Sequence, residues 1–161
     1  MIDPMQSQNI DAPQLVLTQR KPPSLHDINN EANTILWRAS TVFPFTLFPD
    51  EVVVSLSSVD IVYRPFFFSK QVFPILIKDL VTVTVSTNLL FGSLSLEVRF
   101  QEQNPPDVNY LWKDDALRLR RIITGLLTAY KEGVDLSKYS PHEILEEVDI
   151  IGSSHVASIP A

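Results

Sequence analysis

The sequence predicts a mainly β domain, about seven antiparallel strands in a barrel or sandwich, capped by a C-terminal α-helix. Short segments in which apolar and polar residues alternate run from about Val42 to Phe100. A period of two marks strands with one buried and one wet face. A single amphipathic stretch, Trp112 to about Lys131, follows them directly and has the period of a helix that covers a core. The chain has 161 residues, enough for one such domain at roughly 100–200 residues each.

Ahead of the strands, residues 1–24 are rich in Gln, Asn and Pro (Pro4, Pro13, Pro22, Pro23), a composition that suits a flexible arm. Within the arm, Gln14-Leu15-Val16-Leu17-Thr18 is apolar enough to lie on a sheet edge or in a groove. Ser24 and Asp27 form a weak capping box, and Leu25, Ile28 and Ala32 share one helical stripe, so a short helix is expected there.

The strands are clearest in the second half of the block. Val81, Val83 and Val85 alternate with Thr82, Thr84 and Ser86, and Leu94, Leu96, Val98 and Phe100 with Ser95, Glu97, Arg99 and Gln101. Earlier strands are predicted at Val42–Phe48, Glu51–Leu56, Val59–Arg64 and Val72–Lys78, and a short seventh at Val108–Leu111. Pro49-Asp50, Ser57-Ser58, Lys78-Asp79 and the stretch Asn88 to Gly92 mark turns. Pro44 and Pro74 fall inside predicted strands and therefore belong on edges or at bulges, where no ladder N–H is missed.

In the helix, Trp112, Ala116, Leu119, Ile123, Leu126 and Tyr130 recur at steps of three and four, with Ile122 and Leu127 widening the stripe. Asp114 and Asp115 suit its first turn, and Gly133 is a natural stop. A second helix follows: Ser140 caps it, Pro141 takes the first position, Glu143 closes the capping box and Gly152 ends it. Ile144, Leu145, Val148 and Ile151 would pack it back on the domain. The chain thus divides into an arm (1–34), a strand-and-helix domain (35–131), a helical extension (132–152) and a disordered tail (153–161).

Charge and cysteine content exclude several functions. The net charge is −6, which argues against nucleic acid, since its binders need a basic face. Residues 35–131 carry ten basic and nine acidic side chains, whereas residues 132–161 carry one and six, so most of the acidity lies in the C-terminal extension. With no cysteine there is no disulfide scaffold, thiolate metal site or cysteine nucleophile. No apolar run approaches the ~18 residues of a membrane-crossing helix, and Met1-Ile2-Asp3-Pro4 lacks the basic flank of a secretory signal. A cytoplasmic chain is expected, with peripheral attachment to a membrane as the alternative.

Three segments carry a resemblance. They are Phe48-Pro49-Asp50-Glu51-Val52-Val53-Val54, then Ile77-Lys78-Asp79-Leu80-Val81, then Leu90-Phe91-Gly92-Ser93-Leu94. With the order of strands and helix over residues 35–131, the pattern resembles the pleckstrin-homology-like (PH-like) barrel, above all its bacterial versions of uncharacterised function. The resemblance implies a seven-stranded barrel and a habit of binding lipid headgroups, peptides or protein surfaces rather than catalysis. Members that bind phosphoinositides carry a basic cluster in the first hairpin. This chain has Pro49-Asp50-Glu51 there, and Trp112 stands at the helix entrance rather than within the helix.

Two groups of residues are candidates for interaction. Arg64, Phe66, Phe67, Phe68 and Lys70 place three aromatics between two cations, suited to a partner groove or a membrane interface. The plainer alternative turns two of the three rings into the barrel. A second apolar loop, Leu89, Leu90 and Phe91, falls at the same end in a simple meander, so both tips are expected on one rim. Lys113, Arg118, Arg120 and Arg121 form a second candidate patch for an acidic partner, against a solvated helix face that balances Asp114 and Asp115. Glu143, Glu146, Glu147 and Asp149 read as a solvated face.

Signals for catalysis are missing. His26, His142 and His155 are scattered, no Gly-x-Ser-x-Gly elbow occurs, and four glycines leave no phosphate cradle. The expectation is a non-catalytic module without cofactor or metal that binds a protein partner or a second copy of itself. A lipid-binding module using Phe66–Phe68 is the first alternative, and an enzyme without a recognisable motif the second.

Overall fold

Among the described residues, seven strands and a pair of α-helices follow in the predicted order, yet the first strand is not the predicted one. The computed structural model of the chain describes residues 34–66, 68–99 and 105–157. One antiparallel sheet holds β1 (Ile35–Ser40), β2 (Glu51–Ser55), β3 (Ser58–Phe66) and β4 (Ser69–Leu76) in sequential order. A second holds β5 (Leu80–Thr87), β6 (Phe91–Val98) and β7 (Val108–Trp112). A bridge between Thr41 and Leu111 joins the sheets just beyond β1. Between β4 and β5 no ladder forms among the described residues. The expected barrel is therefore open on that side.

The segment Val42–Phe48 is the β1–β2 loop, not a strand. Its alternation of Phe43, Phe45 and Leu47 with Pro44 and Thr46 imitates a strand, but all three apolar side chains are exposed. The true β1 hides from a period-two reading. A bulge between Ile35 and Trp37 shifts its register, so its buried residues, Leu36 and Ala39, stand three apart. Elsewhere the alternation holds. In β6, Leu94, Leu96 and Val98 are buried while Ser95 and Glu97 are exposed. Pro74 lies on β4, an edge strand, where its missing N–H is tolerated.

Helix α1 (Lys113–Lys131) lies across β5 and β6 and touches β1 and β7. Ala116, Leu119, Ile122, Ile123, Leu126 and Leu127 are buried in one cluster with the inner faces of both sheets. Trp112 and Tyr130, expected in the stripe, are both half exposed, and Trp112 ends β7 instead. At the other end Gly133 has φ 69°. It lets the Gly133 N–H reach Tyr130 O and the Val134 N–H reach Ala129 O, the paired bonds that satisfy a helix's last carbonyls.

Helix α2 (Pro141–Ala157) starts as the sequence requires. The Ser140 N–H donates to Glu143 Oε2 at 2.8 Å, and the Glu143 N–H donates to Ser140 Oγ at 3.4 Å. The helix does not stop at Gly152. It runs to Ala157, so residues 153–157 are not a disordered tail, and 158–161 lie outside the described residues. The arm's residues 1–33, and the short helix expected in them, also lie outside.

Glycine at 152 serves contact rather than termination. The two helices pack antiparallel, and a Cβ at Gly152 would collide with the backbone carbonyl of Arg121, just as one at Gly125 would collide with that of Val148. Each glycine thus makes room for the other helix's backbone, four residues from the partner's own glycine. Arg121 Nε donates to Asp149 Oδ1 at 2.6 Å across the same contact.

Candidate functional site

Three loops meet at one end of the molecule. They are the β1–β2 loop, the β3–β4 tip at Phe66–Ser69 and the β5–β6 turn at Asn88–Phe91. The first binds the other two together. Phe48 lies 6.1 Å from Phe66, ring centre to ring centre, and Phe45 lies 4.8 Å from Phe91. Phe45 also stacks on Tyr110 at 5.7 Å and 15°, and Phe91 lies 5.5 Å from Trp112.

Backbone bonds fix this arrangement. The Val42 N–H donates to Tyr110 O at 2.9 Å, and the Lys113 N–H donates to Leu90 O at 3.0 Å. Asn88 Oδ1 accepts from the N–H groups of Leu90 and Phe91, closing the turn. The β6–β7 register pairs Gly92 with Leu111 and Leu94 with Val108, so Ser93 opposes both Asn109 and Tyr110. Tyr110 takes the strained place in this bulge, at φ 63°. A non-glycine residue there costs of order 1 kcal/mol or more, and the kink puts its ring against Phe45.

The rings support one another and remain in solvent. Phe68 is 100% exposed, Leu89 88%, Leu47 74%, Phe66 69% and Phe45 56%. The expected candidates fall into place as follows. Phe66 and Phe68 both point outward, so the alternative with two of the three rings in the core does not hold; Phe67 lies outside the described residues. Leu89 and Leu90 are exposed and Phe91 is half buried. Both tips lie on one rim, as expected. Phe43, Phe45, Leu47, Tyr110 and Trp112 were missed, because the first three mimic a strand and the others sit in a strand–helix junction. Pro44 inside the supposed strand was the available warning.

The cations behave differently. Arg64 donates to Pro49 O at 3.0 Å and pairs with Glu51 at 3.3 Å, while its N–H donates to Asp50 Oδ1 at 2.8 Å. Arg64 therefore braces the loop. Burial pushes the Asp50 carboxyl above its ordinary value, with the Arg64 N–H and charge pulling the other way. Lys70 is exposed. The second candidate patch is split. The Arg118 guanidinium lies 4.0 Å over the Trp37 ring, and Arg121 is held by Asp149, which leaves Lys113 and Arg120 on another face of the helix.

Among the described residues no group of three or more His, Cys, Asp or Glu could hold a metal ion. No helix there is long and apolar enough to cross a membrane. Comparisons with protein-family models, curated proteins and solved structures gave no match for this chain.

Proposed function

We propose that the chain is a non-catalytic binding module on a PH-like scaffold, and that its apolar rim docks a protein partner. The carrying observation is the set of exposed rings and leucines on three loops at one end, with Phe45 against Phe91 and the strained Tyr110, and Phe48 beside Phe66. Large exposed apolar patches mark interaction surfaces, and strain tends to gather where function requires a fixed geometry. The scaffold part of the reading is supported by a four-stranded and a three-stranded antiparallel sheet followed by a helix.

Attachment to a membrane through the same rim is the competing reading. It is weakened where it relied on Arg64, which is engaged by Glu51 and Pro49, and by the net charge of −6, which anionic bilayers repel.

Photo-crosslinking at positions 66 and 89, with position 120 as the distant control, tests the proposal in the cells the chain comes from. The expected result is a discrete polypeptide adduct at 66 and 89 that disappears when Phe45 is changed to Ser. Absence of rim-specific adducts, together with sedimentation on phosphatidylcholine–phosphatidylserine vesicles that Phe68→Ser abolishes, overturns it in favour of the membrane.

A further inference from the structure

The open side between β4 and β5 leaves each sheet with an unpaired edge among the described residues. The two edges are not alike. β4 carries Lys70 and Pro74, features that blunt a sheet edge against strand addition. β5 reads Leu80-Val81-Thr82-Val83-Thr84-Val85-Ser86-Thr87, with no charge, no proline and only β-favouring or neutral residues after the leucine. Its N–H and C=O groups on the side away from β6 form a ready template.

The side chains along this opening are also incompletely covered. Val83 and Val85 on β5 and Phe73 on β4 pack against the core but are only partly buried. In a closed barrel such inward positions are fully covered. An added strand would need two apolar residues, two positions apart, to continue the face made by Val83 and Val85.

The sequence ahead of the described residues contains a segment with that pattern. Gln14-Leu15-Val16-Leu17-Thr18 puts Leu15 and Leu17 on one face, with Pro13 and Pro22 bounding the segment. Residues 19–33 separate it from Thr34, where the described chain begins. A linker of this length reaches about 50 Å at roughly 3.3 Å per residue, whereas a domain of this size is about 35 Å across. Such a tether also keeps the local concentration near the millimolar range, which favours a segment of the same chain over a second copy.

We propose that residues 14–18 add to the outer edge of β5 within the same molecule, with Leu15 and Leu17 beside Val83 and Val85 and Val16 on the outer face with Thr82 and Thr84. The sheet then has a fourth strand and its β5 edge is covered. This inference is independent of the rim and survives or fails without it.

The absence of native cysteine makes the test direct. In the full chain, cysteine pairs at Val16 with Thr82, Thr84 or Ser86 are oxidised at low concentration and examined by mass. One pair is expected to form an intramolecular disulfide far more completely than Val16 paired with a cysteine at Arg120. In hydrogen exchange, Val16→Pro is expected to speed the outward β5 amides about tenfold or more while leaving β6 unchanged. Two outcomes overturn the proposal. One is equal exchange in both proteins with no preferred pair. The other is disulfides that form only between chains, which gives the edge to a second copy.

Discussion

The helix pair and the loop rim are both crowded with apolar side chains, and they use them in opposite ways. Along α1 and α2 the contact is so close that Gly125 and Gly152 leave room only for the other helix's backbone, and Leu119, Ile122, Ile123 and Val148 are wholly buried. At the rim Phe45, Phe66 and Leu89 are mostly exposed, although Phe45 and Phe91 are in ring contact. Hydrophobic burial drives folding in proportion to the area removed from water. The helix pair therefore commits its apolar surface to the fold, and the rim retains a driving force that folding has not used.

The most severe way to break this contrast is a charge at each end. Leu119→Asp buries a carboxylate without a partner, at a cost on the order of 5 kcal/mol, comparable to the roughly 5–15 kcal/mol that holds a domain together. The variant is expected to be unfolded by circular dichroism at room temperature. Leu89→Asp, on the rim, is expected to shift stability by no more than about 0.5 kcal/mol. A native-like melt for Leu119→Asp would remove α1 from the core.

The next test separates the two helices from the sheets. Gly125→Val and Gly152→Val each force a side chain into a facing carbonyl, and either is expected to cost about 3 kcal/mol. The loss should appear first as faster hydrogen exchange in α2, while β2, β3 and β6 stay protected. Equal loosening of helix and sheets would show that α2 is part of the same cooperative unit as the strands. The ion pair across this contact is worth less. Arg121 and Asp149 keep 35% and 28% of their side-chain surface exposed, so a double-mutant cycle is expected to give about 0.5–1 kcal/mol after screening by solvent.

These elements also show what a sequence reveals. The α1 stripe, the β6 alternation and the Ser140–Glu143 capping box were all readable, because each depends on residues a few positions apart. The apolar tips at Phe66, Phe68 and Leu89–Phe91 were readable for the same reason, and their place on one rim followed from the alternating direction of strands in a simple meander. Whatever depended on distant partners was hidden. Gly152 looks like a helix stop until Arg121 is placed beside it. Phe43, Phe45 and Leu47 look like a strand until the Phe45 ring is found against Phe91 and Tyr110. Arg118 and Arg121 look like a basic patch until Trp37 and Asp149 are found to hold them. A bulge defeats the reading of β1, because one extra residue inverts the pattern for everything after it.

Truncating the rim sharpens the contrast from the other side. Phe68→Ser and Leu89→Ser are each expected to leave the denaturation midpoint within about 0.5 kcal/mol of the native chain, while lowering binding of an apolar dye and raising solubility. Phe45→Ser should cost somewhat more, since it removes ring contacts with Phe91 and Tyr110 worth about 0.5–1.5 kcal/mol each. A large loss from Phe68→Ser would mean that the tip is structural and would return it to the core.

The smallest effect distinguishes the two ends by sign. Asp50, in the β1–β2 loop, has its carboxyl raised above the ordinary 3.8, mainly by burial. The fold therefore favours the protonated form. Its contribution to stability is full below the unfolded value and is lost as the pH rises through the folded one. Glu143, in the α2 capping box, is held below the ordinary 4.5, mainly by the Ser140 hydroxyl. Its contribution is present above the unfolded value and is lost as the pH falls through the folded one. Urea melts of the native chain, Asp50→Asn and Glu143→Gln between pH 3 and pH 7 separate the two. Relative to the native chain, Asp50→Asn is expected to gain stability on going from pH 3 to pH 7, because the native loop must then hold a partly desolvated charge. Glu143→Gln is expected to lose stability over the same interval, because the native capping box then has its charged acceptor. If both differences run in the same direction, burial does not dominate at Asp50 and the loop is more solvated than its packing indicates.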